Sequence, residues 1–394
     1  MNLIDIVIII AVLIGVANGY RRGFWLSLFQ YSGLVLGVVA GAAFAQPILD
    51  ALRLNSGGVR PLAAVLVLVI GGSLGSTLGF WVGEPIRRAF VGRGMARPPE
   101  KLAGGLFSLF TVLSVAWFLG LTFSQGPSAD LGRLMQRSTV LRSLDVMFPR
   151  PPGFLSGVRS VLAGVPFPQT FAGLEPALPQ ALQPPASVNT AGVNSATQVV
   201  YRVEGRGCGG VVSGSAYPVA RGYLVTNAHV VAGTSNTVLS QDVTGQRGIR
   251  ATVVLFDQQR DVAILYAPSV SAPALTGAPG GRGTQGAVIG YPGGGAETTG
   301  PAVIEQGTTA EGRDIYNDTL VDRSIWILAA EVRPGNSGGP LVDLQGHVLG
   351  LVFAASSTDP EQAYALTNDE VQPDVSAGVG RTARVATETM HCAV

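Results

Sequence analysis

Charge is scarce in this sequence. Of its 394 residues only 13% are Asp, Glu, Lys or Arg, while 47% are hydrophobic. A soluble globular chain usually carries about 25% charged residues, so part of this one is expected to sit in lipid. The deficit is local: residues 1–125 are strongly apolar, and the remainder reads as a Gly-rich soluble chain. The net charge of +1 gives no footing for nucleic acid binding. Cysteine is also scarce. Cys208 and Cys392 are too few and too far apart for a zinc cluster. The three histidines, His229, His347 and His391, form no HExxH pair. Neither a metal nor a cofactor is expected.

What the first part has is apolar length. Stretches at roughly 3–19, 24–45, 61–82 and 103–123 each approach the ~20 residues that a helix needs to cross the hydrocarbon layer. The first is the weakest, being short and containing Asp5. It lacks the basic start and small-residue cleavage site of a signal peptide. Arg21 and Arg22 follow the first stretch, and Arg87, Arg88, Arg93, Arg97 and Lys101 follow the third; only Arg53 and Arg60 lie in the loop between. Positive charge stays on the cytoplasmic side, so four spans would leave both termini, and all that follows residue 124, outside the cytoplasm. Gly33, Gly37 and Gly41 face one way on the second stretch, and Gly71, Gly75 and Gly79 on the third. Such ladders let helices pack closely, most simply as an intramolecular hairpin.

Residues 124–195 read as a Pro/Ala/Gly-rich linker. Leu131, Leu134, Met135, Leu141 and Leu144 recur at helical spacing between Arg133, Arg137 and Arg142, which predicts an amphipathic helix near the membrane surface or against the following domain. Pro149 to Pro185 is expected to be irregular and is a candidate site of proteolytic nicking, including self-cleavage.

From Thr197 onward short β-prone runs are bounded by Gly and Pro, among them Gln198–Val203, Gly222–Thr226, Ala251–Phe256, Val262–Tyr266, Ser324–Leu328, Gly339–Asp343 and His347–Phe353. This predicts an all-β sandwich or barrel over 196–394. Three motifs lie on it: TNAHVV (Thr226–Val231), RDVAIL (Arg260–Leu265) and GNSGGP (Gly335–Pro340). A serine hydroxyl is a poor nucleophile unless a base takes its proton. An imidazole suits that task near neutral pH. A carboxylate on the far ring nitrogen fixes its tautomer and stabilises the imidazolium. A lone His, or an Asp at a strand start, is more often structural. His229, Asp261 and Ser337 together, in that order, point to nucleophilic catalysis. Backbone N–H groups of Gly335 and Ser337 would then face the oxyanion, since glycine allows close approach.

These motifs resemble those of the chymotrypsin-like serine proteases, especially bacterial ones of the trypsin/Deg type. The whole layout resembles the mycobacterial and actinobacterial acid-resistance periplasmic protease family, in which a colicin V production-type membrane segment (here 1–123) precedes the protease. The resemblance implies an α-helical four-span membrane domain, then an all-β double barrel of two six-stranded barrels with the site between them. It implies a role in tolerating acid and oxidative stress, with envelope proteins or peptides as substrates. Histidine has a reference pKa of about 6.5, so the rate of such an enzyme is expected to fall in acid. Two departures matter. Asn336 stands where trypsin-type enzymes have the Asp that receives a new N-terminal amine, which argues against that activation route. The tail after the last core strand is also too short for a PDZ domain. Glu331, six residues before Ser337, occupies the place where the family puts the floor of the primary pocket; it points inward or is neutralised by Arg333. Gly350, Leu351 and Val352 are candidates for a pocket wall.

Both cysteines fall in the expected oxidising compartment, which favours a Cys208–Cys392 disulfide. It would be structural, or else a redox control on the site. The competing reading of the chain is a non-catalytic membrane scaffold or transport component with a protease-like binding domain. Against it, no triad member is missing, and spans two to four carry no ionisable residue.

Overall fold

The computed structural model describes residues 2–51, 59–91, 98–123, 134–135, 137–147, 170–173, 175, 181–208, 210–241, 248–356 and 359–393. The chain divides into two compact units, Met1–Val165 and Pro166–Val394.

The first unit is helical: α1 (Leu3–Arg22), α2 (Phe24–Ala51), α3 (Val59–Val91), α4 (Pro98–Phe123) and the short α5 (Thr139–Met147). Among the described residues, α1 is long and apolar enough to cross a membrane by length and composition. Asp5, the charge that weakens this stretch in sequence, is fully buried and fully used. It accepts from Asn2 N at 2.7 Å, closing a capping box, and from Ser138 Oγ at 2.6 Å and Val140 N at 3.1 Å. The predicted amphipathic helix is therefore docked by its start onto α1. Leu141 and Leu144 are buried on this unit, and Leu141 lies against Gly120 of α4. Residues 131–133 of that pattern, and most of 149–185, lie outside the described residues.

The glycine ladders meet each other. A Cβ at Gly33 would come 3.1 Å from Gly79 Cα, one at Gly37 3.1 Å from Gly75 Cα, and one at Gly71 3.3 Å from Gly41 Cα. α2 and α3 thus pack backbone to backbone within one chain, as the simpler reading of the ladders expects.

In the second unit the helix α6 (Ala191–Thr197) precedes the first strand, whose start is expected at Gln198. Thr190 caps it, its side chain accepting from Val193 N at 3.2 Å, and β1 starts only at Tyr201. One sheet holds β1 (Tyr201–Gly207), β2 (Gly210–Ala220), β3 (Tyr223–Thr226), β4 (Thr234–Ser240), β5 (Ile249–Arg250), β6 (Thr252–Asp257) and β7 (Val262–Tyr266) in the order β5-β4-β1-β2-β3-β7-β6. Its edge strands β5 and β6 are joined by Ala251 alone, so the sheet must curl round on itself. The other sheet is a closed barrel, β10-β13-β12-β11-β8-β9, built from β8 (Gln285–Gly290), β9 (Thr298–Arg313), β10 (Leu320–Ala329), β11 (Pro340–Asp343), β12 (Val348–Ala355) and β13 (Gln362–Thr367). Of the two six-stranded barrels expected, one is present as a closed barrel, and the other half of the β domain is a curled seven-stranded sheet. The helix α8 (Asn368–Gly378) follows, capped by the Thr367 side chain. Apolar positions of both sheets share one core, Tyr217, Val225 and Ile264 meeting Ile289, Ile327 and Phe353, so the loops of the two sheets are held in fixed register.

Candidate active site

The histidine comes from the end of β3. The chain turns at the extended Asn227 into α7 (Ala228–Val231), one helical turn rather than a continued strand. Asn227 does not cap that turn with its side chain; its amide donates instead to Asp261 O at 2.8 Å. Asp261 follows the β6–β7 turn and is wholly buried, with a left-handed φ of 62° that costs a non-Gly residue about 1–2 kcal/mol. Both of its oxygens serve His229: Oδ2 lies 2.7 Å from Nδ1, and Oδ1 accepts from the His229 backbone N–H at 2.9 Å. A carboxylate only accepts, so Nδ1 carries the proton and Nε2 is left as the basic nitrogen. The ring is mostly enclosed, at 11% exposure.

Ser337 belongs to the β10–β11 loop. Gly335 and Gly338 have φ of 101° and 85°, and a Cβ at Gly338 would run into the Ser215 carbonyl. Only glycine tolerates both demands. Among the described residues, neither the Gly335 nor the Ser337 N–H donates to a protein acceptor, which leaves both free for an oxyanion. Asn336 is buried, and its side-chain oxygen accepts from Arg333 N at 3.0 Å. The loop thus closes with an internal partner for Asn336 rather than a terminal amine.

One residue that the motifs do not reveal holds this loop to the curled sheet. Ser215, fully buried on β2, donates its N–H to Ser337 O at 2.8 Å. Its Oγ donates to Gly335 O at 2.7 Å and accepts from Tyr291 N at 3.0 Å. Next to it, a Cβ at Gly214 would sit 2.6 Å from the Val230 methyls and 3.0 Å from Ser337 O. The His229 turn and the Ser337 loop therefore meet across one glycine.

The Asp261 turn is anchored from behind. Arg323 of β10, 2% exposed, donates Nε to Gln259 O at 2.7 Å and Nη1 to Arg313 O at 2.9 Å. Burial lowers its pKa, while Asp261 and the acids around it oppose that shift. Glu370 of α8 takes Arg260 Nε at 3.3 Å and the Ser324 N–H at 2.8 Å. Beside it the buried Asp374 carboxyl is pushed up to about 6, chiefly by burial and then by Asp257, with Arg260 opposing.

The pocket candidates fare differently. Glu331 is 62% exposed and paired with Arg333 at 2.5 Å, so its charge is spent at the surface rather than in a pocket floor. Leu351 and Val352 are fully buried core side chains and offer no pocket wall. What their strand contributes is backbone, since Gly338 N donates to Val352 O at 2.8 Å and Val352 N to Gly339 O at 2.9 Å. Gly350 is likewise enclosed, a Cβ there lying 3.3 Å from Trp326.

Cys208 and Cys392 form a disulfide, with Cα atoms 5.7 Å apart. It packs on Gly233, just past α7: a Cβ there would lie 2.9 and 3.0 Å from the two sulfurs. Gly233 N also donates to Thr387 O at 3.1 Å. The tail is therefore tied to the segment that follows His229. His391 stacks edge-on with Tyr316, and His347 is exposed beside Asp343.

Comparison with known proteins agrees with this layout. The colicin V production protein family matches residues 4–149, and the trypsin-like peptidase domain family matches 208–351. Serine protease Rv3671c of Mycobacterium tuberculosis strain H37Rv is 32% identical over 394 residues, covering 98% of this chain and 97% of its own. The crystal structure of the active form of the Rv3671c protease is 38% identical and superposes with a TM-score of 0.52, over 56% of this chain and 96% of that one. A probable periplasmic DegP-like serine endoprotease of Halomonas elongata is 32% identical over 154 residues, 38% of this chain and 31% of that protein. The chain therefore belongs to the Rv3671c family, a colicin V production domain joined to a trypsin-like peptidase domain, and it is a serine protease.

Proposed function

We propose that this serine protease is a membrane-anchored endopeptidase of the cell envelope that works through His229, Asp261 and Ser337. The observation that carries the proposal is the buried Asp261 carboxylate, with one oxygen 2.7 Å from His229 Nδ1 and the other on the His229 backbone. In this scheme Ser337 Oγ attacks the scissile carbonyl as His229 Nε2 takes its proton, and Asp261 stabilises the imidazolium. The Gly335 and Ser337 N–H groups receive the oxyanion. Collapse to the acyl-enzyme sends the proton from Nε2 to the leaving amine. A water, deprotonated by the same nitrogen, then releases the acid and restores Ser337.

The anchoring part rests on four helices of 20, 28, 33 and 26 residues, long enough for four spans, and on Arg and Lys gathered in the first and third loops. That topology puts both termini and the protease outside the cytoplasm, facing envelope proteins as substrates. Self-cleavage between Pro149 and Pro185, and a part in acid and oxidative stress tolerance, belong to the same proposal. Labelling of the full-length chain by a fluorophosphonate probe tests the chemistry: Ser337→Ala is expected to abolish it, and retained labelling refutes the assignment. A phosphatase reporter fused after residue 124 tests topology, and an inactive fusion in inserted protein refutes it.

A further inference from the structure

The helical unit contains a built cavity that the proteolytic reaction does not use. It measures about 590 Å³ and lies where the end of α1, the start of α2 and the end of α3 converge. Gly23, at φ 83°, breaks α1 from α2 and leaves Arg21 and Arg22 at the corner. Arg87 and Arg88 approach from α3. Glu84 is the one acid in the lining; it holds Arg87 at 3.1 Å and Arg88 at 2.9 Å. Four arginines less one glutamate leave the wall at +3. Arg22 is oriented by Gln30, and among the described residues no acid pairs with Arg21. The rest of the lining is apolar. Leu26 forms the buried side, while Phe80 and Trp81 are 40% and 71% exposed.

Charges placed only to set topology need no cavity; solvated loop arginines suffice. Here they converge on one, with an acid fixing two of them and an exposed indole beside them. Guanidinium forks match phosphate oxygens, and Trp favours the level of lipid headgroups. We propose that this cavity binds the headgroup phosphate of an anionic phospholipid of the cytoplasmic leaflet, with the upper acyl chain along Phe80 and Trp81. The inference rests on the anchored topology proposed above, which puts this corner on the cytoplasmic side, where anionic lipid is enriched.

The test uses the full-length protein, extracted from membranes and equilibrated with equal amounts of phosphatidylglycerol and phosphatidylcholine of the same chains. Native mass spectrometry then reads the retained lipid. Phosphatidylglycerol is expected to exceed phosphatidylcholine about tenfold. Arg21→Gln with Arg22→Gln is expected to remove the preference. Glu84→Gln, which raises the wall to +4, is expected to strengthen it severalfold, so a poorly folded double variant does not decide the matter. Lys101→Gln, on the same side but outside the lining, is expected to change nothing. Equal retention of the two lipids by the unmodified protein overturns the proposal. So does a preference unmoved by both the double variant and Glu84→Gln, or displacement of the lipid by 10 mM inorganic phosphate, which would mark a free-anion site. Alkaline carbonate extraction separates the two readings. Protein released by carbonate refutes the anchoring, whereas inserted protein without a lipid preference refutes the lipid site alone.

Discussion

Ser215→Ala is the substitution that most directly probes how the two sheets create the site. The change removes one oxygen and leaves no void larger than that atom. It deletes two bonds, Oγ to Gly335 O at 2.7 Å and Tyr291 N to Oγ at 3.0 Å, while the Ser215 N–H bond to Ser337 O survives. Each buried backbone group left unpaired costs about 1–3 kcal/mol, so with two of them the protein should lose about 2–6 kcal/mol. For a domain of this size that is a fall of roughly 4–24 °C in Tm. The effect on rate is separate. Gly335 carries one of the two proposed oxyanion donors, and losing such a donor costs about 100–1000-fold in kcat. Loosening it, with its N–H still present, should cost about 10–100-fold at a temperature where the variant is fully folded, with KM nearly unchanged because the loss is felt only in the transition state. Thermal unfolding by circular dichroism and peptide hydrolysis, normalised to fluorophosphonate-titrated sites, measure both. A variant within about 0.5 kcal/mol of the parent, with kcat within twofold, would refute the claim that Ser215 holds the nucleophile loop.

Three further outcomes are expected. Asp261→Asn keeps an acceptor for the His229 N–H but presents an amide donor to Nδ1, favouring the wrong tautomer; kcat should fall about 10⁴-fold with little change in Tm, and a loss below 100-fold would argue against the triad. Asp374 has its carboxyl raised to about 6, so the folded state holds a proton that the unfolded chain releases above its ordinary value near 4. That stabilisation is complete below about pH 4 and is lost as pH rises through 6. Asp374→Asn should therefore stabilise the protein by on the order of 1–2 kcal/mol at pH 7.5 and hardly at all at pH 4; urea unfolding at the two pH values checks it, and an equal effect at both contradicts it. Cys392→Ser opens a bond spanning 184 residues, for which chain entropy gives up to about 5 kcal/mol and typical bonds 2–4. Lower Tm and lower activity are expected, and equal values with and without reductant would remove the disulfide from both roles.

The candidate site residues stand out in the sequence because the chemistry proposed for them is local. TNAHVV and GNSGGP mark their turns with Asn227, Gly335, Asn336 and Gly338, whereas in RDVAIL the residue with the left-handed φ is Asp261 itself. Ser215 was not legible, since a serine inside a strand looks like any other until a partner from the other sheet arrives. Arg323 is hidden for the same reason: its partners, Gln259 O and Arg313 O, lie in the β6–β7 turn and at the end of β9. The long β9 was obscured by Gly300, Pro301, Gly307 and Gly312, which look like turns when read locally. Leu351 and Val352 are expected in a pocket wall because their strand comes soon after Ser337, but Leu351 packs into the core shared by the two sheets and Val352, on the opposite face, into a cluster of the closed barrel's own strands.

The sequence by itself determined the apolar first part, the β-rich second part, the three candidate triad residues and the glycines beside Ser337, all of which follow from composition, periodicity and local turn chemistry. Tertiary structure alone decided which oxygen of Asp261 meets which nitrogen of His229, that Ser215 joins the Ser337 loop to the other sheet, that Asp5 is satisfied by residues 138 and 140, and that the Cys208–Cys392 bond rests on the turn after His229. Each of these is a pairing between groups far apart in the chain, fixed only when two curled sheets or two helices bury a common surface.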